Sequence, residues 1–345
     1  MFWLSWRQFR TQALVAAAVL AALAVVVLID GSQMLHAYHE ATGSESLSNF
    51  VNRYHSMGQW LSGLVLVVPG LIGIFWGAPL LARELESGTF RLAWTQSISR
   101  ARWALCKLGL LGLTGMAVAG LCSLLVSWWA SPLDLAVGNG PFAHFDVRGV
   151  VPVAYAAFAF SLGVAAGAVI RRTVAAMGTT LVLFAGVRVA FTEWVRPHLI
   201  APLTARTPLT ITTPGQIQIG GHLPQDSWVV SESIVNSAGH AVNGGVINAL
   251  GNASIVSGSG VHIPGVGSCT NLVPSGTHLG QSNALRPNAF SDLVARCVNQ
   301  LHLTDVISYQ PANRYWPFQM YESLIFLGLA VAVGAVTVWL VRRIG

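Results

Sequence analysis

Charged side chains are scarce in this sequence. Asp, Glu, Lys and Arg together make up 9% of its 345 residues, whereas apolar residues make up 53%. A typical soluble domain carries roughly 25% charged residues, so the composition predicts a protein embedded in a lipid bilayer. The net charge of +6 does not indicate nucleic-acid binding, because the basic residues flank apolar runs instead of clustering on a polar face.

Lysine is almost absent. Arginine occurs 18 times and lysine once, at Lys107, which follows Ala104-Leu105-Cys106 and not a glycine. The phosphate-binding loop G-x-x-x-x-G-K-[ST] is therefore missing, so any ATP that drives this chain must bind to another polypeptide. The patterns G-x-S-x-G and H-E-x-x-H and the dinucleotide-binding glycine fingerprint are missing as well. We therefore predict no enzyme active site and no cofactor on this chain.

Six apolar runs are long enough to cross a bilayer, which takes roughly 20 helical residues. They cover residues 13–29, 61–82, 103–129, 150–170, 173–191 and 324–341. The first run is longer than the core of a signal peptide and further runs follow it, so we expect it to be retained. The predicted fold class is an all-α polytopic membrane protein with six transmembrane helices.

An N-terminal interfacial helix is predicted before the first span. Residues 1–10 place Phe2, Trp3, Trp6 and Phe9 on one helical face beside arginines, a pattern typical of a helix that lies in the membrane interface. An ordinary flank of the first span would explain the same residues, and the two interpretations are compatible.

The basic residues predict the orientation. Eleven of them fall at the two termini, in the central loop and at Arg171-Arg172, all on one side of the membrane, whereas the two short loops on the other side hold only Arg53 and Arg148. By the positive-inside rule both termini are cytoplasmic and residues 196–316 lie outside. The predicted divisions are 1–195 with helices 1–5, an extracytoplasmic domain at 196–316, and 317–345 with helix 6 and a cytoplasmic tail.

The long segment at 196–316 is rich in Gly, Ser, Asn, Thr and Pro, which predicts a small mixed domain between helices 5 and 6. Short strands are indicated at 216–219, 228–230 and 255–256, and a helix at 289–301. Cys269 and Cys297 fall in this segment, where oxidation is permitted, and we predict a disulfide worth about 3–4 kcal/mol. Metal binding with nearby histidines is the alternative. No metal-ligand spacing supports it, so no metal site is predicted.

Three charged residues near the predicted outer interface are candidate gate charges: Arg188, Glu193 and Glu322. Charges within a bilayer are costly and often functional, although side chains this close to the interface can also extend to water. Arg188 is the deepest of the three. Its pairing with Glu193 or with Glu322 near a pore mouth is the hypothesis that follows.

The central polar stretch reads Arg83-Glu84-Leu85-Glu86-Ser87-Gly88-Thr89-Phe90-Arg91 and continues through Ser99-Arg100 to Lys107. It resembles the corresponding segment of the ABC-2 family of membrane permeases, the six-helix subunits of type V, ABCG-like exporters. The matching positions are Glu84, Glu86, Gly88, Thr89, Ser99, Arg100 and Lys107. Residues 309–319 with Glu322 look like permeases common in high-GC Gram-positive bacteria. The external domain is larger than the hairpins that many relatives carry.

The resemblance implies that residues 83–102 form a coupling segment that docks on a cytoplasmic ABC ATPase. The residues expected to carry this contact are Arg83, Glu84, Leu85, Glu86, Gly88, Thr89, Phe90, Arg91, Ser99 and Arg100. Exposed charges beside apolar residues suit a short helix in a partner's groove. A solvated loop, the alternative, would leave those apolar residues unexplained.

The resemblance further implies two ATPase subunits carrying ATP and Mg, a second permease subunit that is identical or homologous, and contact with membrane lipid. The expected location is a bacterial plasma membrane. The expected cargo is an amphipathic drug, antibiotic or lipid, moved along the first, second and fifth helices. Two alternatives stay open: a sensor or immunity protein that binds ligand through the external domain, and an ATP-independent secondary transporter.

Overall fold

The structure is a computed structural model. It describes residues 2–41, 44–86, 100–137, 140–213, 216–218, 224, 226–237, 239–242, 254–256, 260–263, 267–269 and 296–343. The chain forms two compact units: a membrane unit, Met1–Ile200 with Asn313–Gly345, and a sheet unit, Ala201–Ala312. The predicted boundaries at 196 and 316 differ from these by a few residues, because the side chain of Arg196 is buried within the membrane unit.

Seven α-helices are described in the membrane unit. They are α1 (Phe2–Glu40), α2 (Ser44–Ile72), α3 (Ala78–Glu86), α4 (Arg100–Val137), α5 (Val151–Ile170), α6 (Thr173–Ala190) and α7 (Tyr315–Arg343). Six helical stretches are long and apolar enough to cross a membrane: Leu14–Glu40, Glu45–Arg83, Leu108–Val137, Val151–Ile170, Thr173–His198 and Ala312–Arg343. The predicted class, an all-α polytopic membrane protein, is confirmed.

The helices extend beyond the apolar runs of the sequence. Residues 2–10, predicted as an N-terminal interfacial helix, are helical but continue into the first span without a break, so α1 is one helix of 39 residues. At 1.5 Å per residue α1 is about 58 Å long, roughly twice the thickness of the hydrocarbon core. The polar segment between the first two spans is also largely helical, since α1 ends at Glu40 and α2 begins at Ser44.

A π-helical turn at Gly73–Gly77 joins α2 to α3 within the second span. Pro69 lies inside α2, and a proline cannot donate its backbone hydrogen bond, so a local change in helix winding nearby is expected. Glycine is required in the turn, because a Cβ at Gly73 would lie 2.6 Å from the carbonyl oxygen of Ala159, and one at Gly77 would lie 2.6 Å from that of Phe160. The second span therefore packs backbone to backbone against α5.

Helix α5 is the most buried span of the membrane unit. Of its 18-residue apolar window, 72% is buried, compared with 11% for the first span and 22% for the fifth. Gly163 and Gly167 lie where α5 meets the π-helical turn and α3, and a Cβ at Gly167 would lie 2.5 Å from the carbonyl oxygen of Ala78. Small residues permit this close approach of helices in a membrane. Helix α5 is thus the core against which the second, third, fifth and sixth spans pack, whereas α1 packs mainly against α4.

The sheet unit contains eight described strands. They are β1 (Leu203–Pro208), β2 (Thr210–Thr213), β3 (Gln216–Gln218), β4 (Trp228–Val235), β5 (Ser254–Val256), β6 (Gly260–Ile263), β7 (Gly267–Cys269) and β8 (Thr304–Gln310). They form antiparallel sheets in the orders β1-β8-β4, β2-β3 and β5-β6-β7. In the first sheet β8 is central, with Ile307 opposite Ala205 on β1 and Glu232 on β4.

Cys269 and Cys297 form a disulfide with their Cα atoms 5.5 Å apart, which is the predicted pairing. The bond connects β7 to a short helical segment at 296–300. This segment is the described part of the helix predicted at 289–301. The predicted strands correspond to β3, β4 and β5, whereas β1, β2, β6, β7 and β8 were not predicted.

Candidate functional site

Four charged side chains and a tyrosine form a buried network where α5 begins. Its members are Asp146, Tyr155, Arg188, Arg196 and Glu322. We call this end of the membrane unit the network end. Arg196 is the centre of the network: its Nε donates to Glu322 Oε2 at 2.9 Å, and its Nη2 donates to Glu322 Oε1 at 2.9 Å. The same guanidinium donates through Nη1 to Asp146 Oδ2 at 3.3 Å.

Arg188 completes the charge balance. Its Nη2 donates to Asp146 Oδ1 at 3.1 Å, and its Nη1 lies 3.6 Å from Glu322 Oε1. Its guanidinium carbon lies 3.5 Å from the centre of the Tyr155 ring, a favourable cation–π position. The Tyr155 hydroxyl in turn donates to Glu322. Two cations thus face two carboxylates.

Burial makes this pairing necessary. The side chain of Glu322 is 0% exposed and that of Arg196 is 7% exposed, and a buried charge is very costly unless it is paired and hydrogen-bonded. For Asp146, burial alone would raise the pKa, but the hydrogen bonds and charges of Arg196 and Arg188 outweigh burial and hold the pKa below its ordinary value. Asp146 is therefore ionised at neutral pH.

A π-helical turn brings the two arginines to one face. Helix α6 ends at Ala190 and is followed by the π-helical turn Phe191–Val195 and then by a 3-10 turn at Arg196–His198. In an uninterrupted α-helix, residues eight positions apart differ by roughly 80° around the axis. A π-helical turn contains about one residue more than an α-helical turn, so the residues after it are rotated back by roughly this angle. Arg188 and Arg196 can therefore contact the same two carboxylates.

Of the three predicted gate charges, the structure brings two together. Arg188 and Glu322 lie in the network, whereas Glu193 is exposed on the π-helical turn, and no ion pair among the described residues includes it. Sequence analysis missed Asp146 and Arg196, because both lie outside the apolar runs. Their position could have identified them, because each lies within six residues of a predicted span boundary. A charged side chain this close to a span can still be buried between helix ends.

Gln319 supports the network from α7, one helical turn before Glu322. Its Oε1 accepts hydrogen bonds from the N–H groups of Val150 and Val151, both at 3.1 Å. Its Nε2 donates to the carbonyl oxygens of Phe145 and Arg148, both at 3.1 Å. The N-cap of α5, Val150, has no capping side chain of its own, so the amide of Gln319 supplies the missing acceptor. Helix α7 is thereby fixed to the start of α5.

The predicted coupling segment lies partly within the described residues. Arg83, Glu84, Leu85 and Glu86 are the last four residues of α3, and Arg100 is the first residue of α4. Gly88, Thr89, Phe90, Arg91 and Ser99 lie outside the described residues. Glu86 contacts the start of α6: its Oε2 accepts from the hydroxyl of Thr173 at 2.8 Å and from the N–H of the same residue at 3.2 Å.

An apolar cavity of about 540 Å³ lies between the first, second, third and fifth spans. Ligand pockets in proteins typically measure about 300–1,000 Å³. Its walls are almost entirely apolar and include Val19, Leu23, Val68, Phe75, Val118 and Met177. The polar lining comes from Arg83 and Thr173, next to the Glu86 contact. The cavity can accommodate an apolar molecule with a polar end.

Among the described residues, no group of three or more His, Cys, Asp or Glu side chains could hold a metal ion. The network in particular contains only two carboxylates, and both are engaged by arginine. The arrangement is suited to hold helices together and to bind an apolar molecule.

Comparison with known proteins identifies the family. Residues 17–196 match the family described as ABC-2 membrane transporter related. No curated protein and no solved structure matches the chain. The match covers more than half of the chain and includes nearly all of the first five spans, most of the cavity lining and both network arginines. This chain is therefore a multi-pass membrane protein of the ABC-2 membrane transporter related family, a family of transport subunits that act with an ABC ATPase.

Proposed function

We propose that this chain is the permease subunit of an ATP-driven exporter of the type V, ABCG-like class. Two copies of a separate cytoplasmic ATPase, carrying ATP and Mg, dock on the coupling segment at 83–102. A second permease subunit, identical or homologous, completes the translocation path. Family membership supports this proposal, as does the lack of a phosphate-binding loop in the chain itself.

The apolar cavity is the observation that carries the proposal. Three of its walls come from the first, second and fifth spans, the helices along which the resemblance implies a translocation path. One end of the cavity is lined by Arg83, where the coupling segment begins. Movement of that segment by an ATPase would therefore change the shape of the cavity directly. A cavity of this lining suits an amphipathic drug, antibiotic or lipid as cargo.

The buried network is proposed as the outer gate of the same path. It joins α5, α6 and α7 through Tyr155, Arg188 and Glu322. Because the network is electrically balanced, it can stay closed in an apolar layer without an unpaired charge. This role places the network end outside a bacterial plasma membrane, with both termini cytoplasmic and residues 196–316 external, as the distribution of basic residues predicts.

A purification experiment tests the function. The tagged chain is isolated from its native membrane in mild detergent, the co-purifying proteins are identified, and vanadate-sensitive ATP hydrolysis is measured. We expect a stoichiometric P-loop ATPase, and we expect Glu84→Ala, a substitution within the coupling segment, to weaken its binding. A chain that purifies alone, without ATPase activity, would instead favour a sensor that binds ligand through its sheet unit or an ATP-independent transporter.

The role of the cavity is tested with the amphipathic dye rhodamine 6G in proteoliposomes. Val19 lines the cavity, and Val19→Trp should abolish the stimulation of ATP hydrolysis by the dye because the larger side chain fills the space. Val174→Trp is the matched control, since Val174 is 82% exposed and does not line the cavity. Equal loss of stimulation in both variants would contradict the cavity as the cargo site.

A further inference from the structure

The first turn of α6 is capped by a side chain from another helix. Arg172, at the N-cap position, makes no capping hydrogen bond with its side chain. Glu86, at the end of α3, accepts from both the N–H and the hydroxyl of Thr173 instead. The first N–H groups of a helix lack partners within the helix. The carboxylate of Glu86 therefore supplies an acceptor that the N-cap residue does not provide.

The contact favours the ionised carboxylate. The hydrogen bonds from the hydroxyl and the N–H of Thr173, together with the nearby charge of Arg172, lower the pKa of Glu86 below its ordinary value. A negative charge also interacts favourably with the positive end of the helix dipole. Glu86 is charged at neutral pH, and the charge is directed to the start of α6.

Helix α6 packs against its neighbours through a narrow stripe and is bound by polar contacts at both ends. Along its length only Ala176, Thr180 and Phe184 are buried, one residue every four, which is a single narrow stripe. Its first residue is bound to Glu86, and Arg188 near its last turn binds Asp146 and Glu322. The helix spans about 22 Å between these attachments. A rigid rod with polar contacts at both ends and a narrow packing stripe can tilt as a unit.

We infer that Glu86 is a positioning residue that transmits movement of the coupling segment to α6, and through α6 to Arg188 in the network. This inference rests on the proposed function. It differs from a docking role, in which Glu86 would contact the ATPase directly. In the structure the carboxylate faces Thr173 of its own chain, at hydrogen-bond distance from two donors.

The test follows the movement of α6 in the complex with its co-purified ATPase. Nitroxide labels are placed at Val189→Cys near the network end of α6 and at Leu135→Cys on α4, both exposed positions, after Cys106 and Cys122 are replaced by alanine. The distance between the labels is measured before and after trapping with ATP and vanadate. In the otherwise native chain we expect the distance to shift on trapping.

Three substitutions on the α6 side of the contact separate transmission from docking. Thr173→Val removes the hydroxyl that donates to Glu86, and the variant should still co-purify with the ATPase but lose the distance shift. Thr173→Ser keeps the hydroxyl and should retain the shift. Thr179→Val, the same change six residues further along α6, controls for the loss of a threonine.

Two outcomes would overturn the inference and leave the proposed function standing: a normal shift in Thr173→Val, or loss of ATPase binding in Thr173→Val. The second outcome would show that the contact between Glu86 and Thr173 shapes the docking surface instead of transmitting movement. If the native chain binds no ATPase, the proposed function fails as well, so the two failures are distinguishable. Thermal unfolding of each variant in detergent identifies any that lose the shift merely because they are misfolded, and recovery of the shift in Thr173→Ser excludes that explanation for position 173.

Discussion

Arg196 and Glu322 pair through two parallel hydrogen bonds of 2.9 Å, although 126 residues of sequence separate them. This fork-to-fork geometry is the strongest arrangement that an arginine and a carboxylate can form. It fixes the turn after α6 to α7 inside a buried layer. The predictions below begin with this pair.

Removing both members of the pair should destabilise the protein less than the sum of the two single removals. Arg196→Leu or Glu322→Leu alone leaves the network with an uncompensated buried charge, which costs about 3–5 kcal/mol of unfolding free energy. The double variant leaves Arg188 with Asp146, which is again neutral. We therefore expect the double variant to be more stable than the sum of the single effects implies. Denaturant unfolding in mixed micelles measures this coupling, and additive effects would contradict it.

Gly149 should not tolerate alanine. Its φ of +72° lies in the left-handed region, and a Cβ there would lie 2.6 Å from Oε1 of Gln319. Gly149→Ala should therefore reduce the unfolding free energy by about 1–3 kcal/mol, because the cap of α5 is displaced. Gly334→Ala is the matched control, since nothing lies within 4 Å of its position, and in a helix interior alanine is favoured over glycine. Equal thermal stability of the two variants would contradict this account.

The sheet unit should become less stable as pH rises because of Asp305. This side chain is 1% exposed, and neither of its carboxylate oxygens has a hydrogen-bond partner among the described residues. Burial, and then the charge of Glu232, raise the pKa of Asp305 above its ordinary value. The native state therefore binds the proton more tightly than the unfolded state does. The protonated carboxyl of Asp305 therefore contributes its full stabilisation at a pH below the pKa that Asp305 has in the unfolded chain. This stabilisation is lost as the pH rises through the higher pKa of Asp305 in the native state.

Asp305→Asn tests this directly. The variant cannot ionise, so it should increase the stability of the sheet unit at neutral pH by about 1–3 kcal/mol and flatten its pH dependence. Hydrogen exchange of the β8 amides in the whole chain, corrected for intrinsic rates at each pH, measures the effect. An unchanged pH dependence in the variant would show that another group is responsible.

The disulfide between Cys269 and Cys297 should contribute about 3–4 kcal/mol on the loop-entropy estimate, for a separation of 28 residues. Cys297→Ser should lower the stability of the sheet unit by that amount and leave the helices of the membrane unit unaffected. Mass spectrometry after alkylation without reductant checks the bond itself. Free thiols at both positions in the native protein would contradict it.

The spans could be predicted from sequence because a bilayer imposes a length and a composition on each crossing helix. The full length of the helices could not be predicted, because α1 and α2 continue through polar residues. Outside the bilayer, neither the length nor the composition of a helix is limited in this way. The π-helical turn at Gly73–Gly77 was also missed. Pro69 marks a region where the helix winding can change, but the close backbone contacts of Gly73 and Gly77 with α5 become visible only in the folded chain.

Only part of the candidate site was visible in the sequence. Arg188 and Glu322 stood out because a charge within an apolar run is conspicuous. Arg196 and Asp146 lie just beyond the runs, where charges are ordinary, and only the packing of three helix ends buries Arg196 and partly covers Asp146. Strand β8 was missed because its neighbours β1 and β4 are remote in sequence, so no hairpin signal marks it.

The position of Glu322 in the chain links the order of synthesis to the order of assembly. When α6 has been inserted, Arg188 and Arg196 have only the carboxylate of Asp146 in the network, so one positive charge is in excess until α7 is inserted. Helix α7 follows α6 in the chain, and its Glu322 supplies the balancing negative charge. The network therefore cannot reach its native pairing before α7 is in the membrane.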